Sequence, residues 1–182
     1  MEDIKKGYTR VSNIVGQWNK FDKIDKDVLA NKCAIGTRVH EAIDADCKGA
    51  YLPLDEPDSL YFESYEKWKN QTAFSIVKNE ERYYCDSLMI TGKPDAIIKM
   101  PNEEGLVVID YKTCISEYKK DWQLQGCFYH YLASKNGIEL SPRMLFIKLD
   151  KTGELPKVYE YTYTKQLWQI CVCAYNCYRY NN

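Results

Sequence analysis

Apolar and polar positions divide the chain into a helical first part and a largely extended remainder. Ser12 is placed to cap a short helix through Ile14, Val15 and Trp18. A longer helix starts near Asp25 or Asp27, where Val28, Leu29, Ala30, Cys33, Val39, Ala42, Ile43 and Asp46 or Cys47 recur at near-helical spacing. Gly36 is a break or close-packing point in it, and Lys48-Gly49 ends it. Leu60, Tyr61, Tyr65 and Trp68 mark a third helix that Ser59 caps. The period then becomes extended, with strands expected over 75–85, 89–100 and 106–112, separated by a turn at Asp86-Ser87 and a hairpin-type connection at Pro101-Asn102-Glu103-Glu104-Gly105. Such close succession predicts an antiparallel meander. A helix over 121–134 stopped by Lys135-Asn136-Gly137, a buried strand over 144–149, a strand over 158–163 and a final helix capped by Thr164 and running to about Tyr180 complete the order. The pattern is that of one α/β domain spanning residues 1–182, with a central mixed β-sheet flanked by helices and no internal repeat.

Two carboxylates interrupt this pattern. Asp95 follows Gly92-Lys93-Pro94 and leads into the apolar Ala96-Ile97-Ile98, and Asp110 ends the run Val107-Val108-Ile109. A carboxylate at a buried β position is costly unless it is paired or binds a metal. Alternation along a strand puts Asp110 and Lys112 on one face and turns Tyr111 away. If the two strands are neighbours, Asp95 and Asp110 converge as hard oxygen ligands for Mg²⁺ or Mn²⁺, with the Tyr111 backbone carbonyl as a third. Lys112 beside them is suited to phosphodiester hydrolysis, stabilising charge on the scissile phosphate and helping to position the attacking water. A lone Asp-x-Lys carries almost no information. Its placement in an apolar strand, a short connection away from a second apolar strand that opens on Asp95, is what gives it weight.

Pro94-Asp95 followed by Asp110-x-Lys112 resembles the PD-(D/E)XK nuclease superfamily, and the surrounding residues resemble its RecB-type exonucleases, including phage members. Gly36-Thr37-Arg38-Val39-His40-Glu41 is similar to the G-x-x-x-H helix of that group, and Gln125-Gly126-Cys127-Phe128-Tyr129 to its Q-x-x-x-Y helix. The segment from Tyr8 to Val15 is similar to the opening of phage-type members, and Glu80-Glu81 falls where an acidic residue often precedes the first Asp. Strand parity is the only guide between these two glutamates; Glu81 is carried forward as a candidate. The resemblance implies a restriction-endonuclease-like core and a metal-dependent DNA exonuclease. It implies Asp95, Asp110 and His40 at one or two Mg²⁺ or Mn²⁺ ions, Lys112 acting on water and phosphate, and Gln125 and Tyr129 orienting the strand. His130, on a different helix face from Tyr129, has no assigned role.

Composition narrows the reading without driving it. Hydrophobic residues at 45% and charged residues at 28% fit a globular protein. With 25 Lys and Arg against 26 Asp and Glu, the net charge of −1 means that any DNA contact rests on a local patch, for which Arg38, Lys93, Lys119 and Lys120 are the candidates. The expected partner is DNA, as a single strand or a duplex end. No apolar run approaches the roughly 20 residues needed to span a bilayer, and the start Met1-Glu2-Asp3-Ile4-Lys5-Lys6 lacks a signal-peptide core, so the expectation is an intracellular protein without a membrane partner. The eight cysteines are then expected as free thiols. An iron–sulfur nuclease built on Cys33 with Cys171, Cys173 and Cys177 is disfavoured, since on one helix Cys171 and Cys173 diverge by about 200°. A non-catalytic nucleic-acid-binding module on the same fold is the remaining alternative; it has no use for a carboxylate pair.

Overall fold

The computed structural model describes residues 4–18 and 25–182; the first three residues of the N-terminal segment read above lie outside them. The order is β1 (Thr9–Arg10), α1 (Val11–Gly16), α2 (Lys26–Cys47), α3 (Asp58–Gln71), β2 (Ser75–Asn79), β3 (Tyr83–Cys85), β4 (Ile90–Gly92), β5 (Ala96–Lys99), β6 (Leu106–Lys112), α4 (Lys119–Lys135), β7 (Leu140–Lys148), β8 (Lys157–Thr162) and α5 (Lys165–Asn181). Five strands form a mixed sheet in the order β2-β5-β6-β7-β8, and three short ones form a second sheet in the order β1-β4-β3. The expected meander is present as β2, β5 and β6, paired antiparallel. β7 joins parallel to β6 through the crossover helix α4, and β8 returns antiparallel.

Two of the expected strands are each divided between the sheets. The segment over 75–85 leaves the large sheet at Asn79, where the β2 register shifts between Ile76 and Lys78 and Glu80 adopts φ 51°, and resumes as β3 in the small sheet. The segment over 89–100 breaks at Lys93-Pro94-Asp95, where proline withholds a ladder hydrogen bond, so that β4 belongs to one sheet and β5 to the other. The turn between these strands sets the two sheets side by side at the point where Asp95 lies.

Burial follows the two periodicities. In β6, Val107, Ile109 and Tyr111 pack with Ile35, Val39 and Ile43 of α2 and Tyr61, Tyr65 and Trp68 of α3. Val108, from the alternate set, packs with Cys127, Phe128 and Leu132 of α4 and Leu167 and Cys171 of α5. Asp110 and Lys112 therefore lie on the α4 side, while Tyr111 points the other way into the aromatic cluster with Tyr65, 5.4 Å between ring centroids. Asp25 caps α2, accepting from the N–H groups of Asp27 at 2.9 Å and Val28 at 3.2 Å, and Thr164 caps α5 by accepting from Leu167 N–H at 3.0 Å. α2 is continuous through Gly36, whose missing side chain allows close packing: a Cβ there would lie 3.1 Å from Thr113 Oγ1. His130 is buried, donates through Nε2–H to the Ser141 carbonyl at 3.1 Å and stacks on Tyr163, a packing role.

The α2–α3 contact settles the position of one candidate. Arg38 Nε bonds the Asp58 carboxylate at the start of α3, and Asp58 is almost fully buried. Two residues from His40, Arg38 lies half-exposed on another face of α2, and the contact it makes within the fold is this helix-anchoring ion pair. Arg38→Met removes the partner of a buried carboxylate and is expected to lower stability, by less than a fully buried pair would because the arginine is half-exposed. A lower urea midpoint with unchanged DNA affinity is the expected result; a loss of affinity at unchanged stability would return Arg38 to the DNA contact.

Candidate active site

The β5–β6 register pairs Ala96 with Ile109, so Asp95 and Asp110 occupy the next step of the ladder, where the chain enters β5 and nears the end of β6. Both are buried, at 8% and 3% exposure, in positions that their apolar strands impose. Like charges in one low-dielectric place cannot remain uncompensated, and three groups answer them. His40 Nδ1 is 3.1 Å from Asp95 Oδ1, Tyr111 N–H donates to Asp95 Oδ2 at 2.6 Å, and Lys112 Nζ contacts Asp110 Oδ2. Because N–H and C=O of one residue project to the same side of a strand, the Tyr111 carbonyl also faces the Asp95 edge.

The electrostatics follow. Burial works to raise the Asp95 carboxyl, but His40, Lys112 and the Tyr111 N–H outweigh it and hold the group below the usual carboxylate range. For His40, burial opposes protonation, yet the charge and hydrogen bond of Asp95 with the charge of Asp110 push its pKa up to about 9. Asp110 is held above the usual range by burial and by Asp95, against the pull of Lys112. Glu80 is likewise raised, first by burial and then by Asp95.

Glu80 replaces Glu81 as the acidic neighbour. Ligand atoms of His40, Glu80 and Asp95 all lie within 4.8 Å of one another, whereas Glu81 Oε2 pairs with Lys78 Nζ at 3.0 Å on the surface. The bulged end of β2 and the positive φ of Glu80 rotate the chain, so strand parity does not carry across this point. Glu80 N–H donates to the Asp95 carbonyl at 2.9 Å, which fixes the glutamate beside the pair. One imidazole nitrogen with carboxylate oxygens is a donor set that fits Mg²⁺ or Mn²⁺, and a cation there would relieve the repulsion that keeps Asp110 raised.

On the α4 side, Lys112 Nζ donates to Gln125 Oε1 at 2.9 Å, and Gln125 Nε2 donates to Tyr129 Oη at 2.8 Å. The four-residue spacing on α4 thus yields a directed chain from Asp110 through Lys112 and Gln125 to Tyr129. Tyr129 approaches β4 closely: a Cβ at Gly92 would lie 2.8 Å from its ring.

Asp95 opens into a cleft of about 690 Å³ that His40, Glu80, Glu41 and Asp44 line together with Lys93, Arg10 and Arg82; Asp110 lies behind it, outside the lining. Lys93 pairs with Glu80 at this wall. Arg10 and Arg82, which sequence reading passed over, also line an adjoining cavity of about 180 Å³ with Ser12, Gly92 and Tyr129. The opening segment around Tyr8 was a sequence signal for Arg10 and not for Arg82; the pairing of β1 with β4 is too long-range to read from pattern. Lys119 pairs with Glu117 and lies 5.2 Å over the Tyr159 ring towards β8, and Lys120 is exposed nearby; neither lines the cleft. Cys33 is exposed at the cleft, Cys171 is buried in the core, and Cys173 and Cys177 are exposed on α5.

The fold resembles solved nuclease structures at low identity. The alkaline exonuclease LHK-Exo from Laribacter hongkongensis aligns with a TM-score of 0.55 at 9% identity, over 96% of this chain and 87% of that one. A protein from Eubacterium rectale described as a candidate exonuclease aligns with a TM-score of 0.53 at 11% identity, over 96% of this chain and 83% of that one. At such identity these likenesses establish the fold alone. No curated protein matches the chain. The family profile described as the PD-(D/E)XK nuclease superfamily matches residues 52–171, a span that holds Asp95, Asp110, Lys112, Gln125 and Tyr129; the chain belongs to that superfamily.

Proposed function

We propose that the protein is a metal-dependent DNA exonuclease of RecB type, acting on a single strand or a duplex end. One observation carries the reading: a buried carboxylate pair has a lysine paired with one member and an imidazole bonded to the other, and the member that meets the imidazole, Asp95, lies with His40 and Glu80 at the wall of an open cleft. His40, Glu80, Asp95, Asp110 and the Tyr111 carbonyl are the groups that would hold one or two Mg²⁺ or Mn²⁺ ions. When bound, the ion supplies Lewis acidity at the phosphoryl oxygens and a lowered pKa for the attacking water.

The chain's own residues do the rest. Lys112 stabilises charge that develops on the phosphate and orients the water, with its ammonium aimed by Asp110 on one side and Gln125 Oε1 on the other. Gln125 is itself held by Tyr129, so these two act by fixing the lysine and bordering the strand. Lys93, Arg10 and Arg82 supply positive charge at the cleft that the net charge of −1 conceals. DNA rather than RNA as substrate, and cleavage from an end, rest on the RecB-type resemblance and on the similar Laribacter exonuclease, which has been solved in complex with dAMP.

End-labelled single-stranded and duplex DNA incubated with Mg²⁺, Mn²⁺ or EDTA tests the reading. Stepwise shortening from an end is expected with either ion and none in EDTA. Asp95→Ala and Asp110→Ala are each expected to reduce turnover by at least about a thousandfold with the fold retained, since each also relieves a buried like-charge pair. Lys112→Ala is expected to be nearly as inactive while still binding Mn²⁺. Full activity in EDTA would sink the proposal.

His40 has a separate test. As an imidazole ligand it makes Mn²⁺ the better activating ion, and His40→Ala is expected to weaken Mn²⁺ binding roughly ten- to a hundredfold by calorimetry. Unchanged affinity in the folded variant would remove His40 from the metal shell, whatever its melting temperature.

A further inference from the structure

The outer face of the small sheet presents a feature that the catalytic reading leaves unused. Tyr83, Cys85 and Ile90 turn inward to the core, whereas on the opposite face Arg10 and Tyr84 flank Thr91 in register, Thr91 itself being buried between them. Tyr8 meets the Tyr84 ring edge-on at 5.1 Å, and Lys5 Nζ stands 4.6 Å over that ring. The Tyr8 hydroxyl bonds Asp86, which orients its ring and engages the nearby carboxylate. At its other end this face runs into the cleft, because Arg10 and Arg82 both belong to the cleft wall. Tyr84 is two residues from Arg82 along the same chain, so aromatic and cationic groups alternate outward from the site.

We propose that this face is a track for single-stranded nucleic acid, continuous with the catalytic cleft; it rests on the nuclease reading above. Alternating cations and aromatic rings suit a strand whose phosphates need counter-charge and whose unstacked bases need a planar partner. A base takes the place of Lys5 over Tyr84, and the ammonium moves to the adjoining phosphate. The exchange is favourable because an exposed cation–π contact is weaker than a base–aromatic stack. A duplex cannot use the rings in this way, since its bases are already stacked on one another. The track therefore selects the single strand.

Fluorescence anisotropy in EDTA separates binding from cleavage, with labelled oligothymidylate of about twelve nucleotides as probe and a trinucleotide and a blunt duplex as comparisons. Tyr84→Ala is expected to weaken binding of the longer strand at least about fivefold, with Tyr84→Phe restoring it and the duplex unaffected. Lys5→Glu, at an exposed position that does not threaten folding, is expected to weaken it similarly and to lower the salt dependence of binding. For both variants the loss is expected to shrink on the trinucleotide, which is too short to reach from the cleft. Unchanged affinity in Lys5→Glu and Tyr84→Ala overturns the track, as does equal loss on duplex and single strand. Wild-type protein that cleaves DNA in Mn²⁺ yet binds no single strand in EDTA also overturns the track and leaves the nuclease reading standing. Strand binding without any cleavage does the reverse.

Discussion

Two carboxylates held side by side in adjoining steps of a β-ladder impose the main constraint on this molecule. The register of β5 and β6 leaves Asp95 and Asp110 no route apart, and both are largely buried among apolar neighbours. Compensation has to come from elsewhere in the chain: His40 from α2, Lys112 from the same strand, and a backbone N–H from Tyr111. The remaining architecture can be understood as delivering those groups. α2 crosses the end of the sheet so that His40 reaches Asp95, and α4 packs along the other face so that Gln125 meets Lys112. A site of this kind holds stored electrostatic work, which a divalent cation would relieve.

Much of this was legible from pattern, because its signals are local. The apolar run of β6 with Asp110 and Lys112 on one parity, the four-residue step from Gln125 to Tyr129, and the caps Asp25 and Thr164 all depend on neighbours in sequence. What was not legible depends on departures from regular geometry or on distant pairing. The choice between Glu80 and Glu81 turned on a register shift and one positive φ, neither of which hydrophobic alternation encodes. The division of two long strands between two sheets arose at the same bulge and at Pro94. The ion pair of Arg38, read in sequence only as one cation of a local patch, was invisible there because its partner Asp58 lies on a different helix.

Charge illustrates the same limit. A near-zero balance of cations and anions says nothing of where either sign gathers. In the fold, several cations are consumed by local partners, as Lys119 is by Glu117 and Lys48 by Asp44. Arg10 arrives at the cleft because β1 pairs with β4 across most of the first half of the chain. The cations at the cleft, Arg10, Arg82 and Lys93, are thus brought together by topology from residues scattered in sequence, on a wall they share with carboxylates.

The helix that carries Gln125 and Tyr129 touches both sheets through residues without side chains. On one side the Tyr129 and Leu132 side chains occupy the space above Gly92; on the other, Phe146 occupies the space above Gly126. The close seating of α4 therefore depends on two absences, and a single methyl group at either would force the facing side chains, Tyr129 and Leu132 or Phe146, to shift. Chemistry at Lys112 depends on where α4 sits, so the reach of the lysine is calibrated by atoms that the protein does not have.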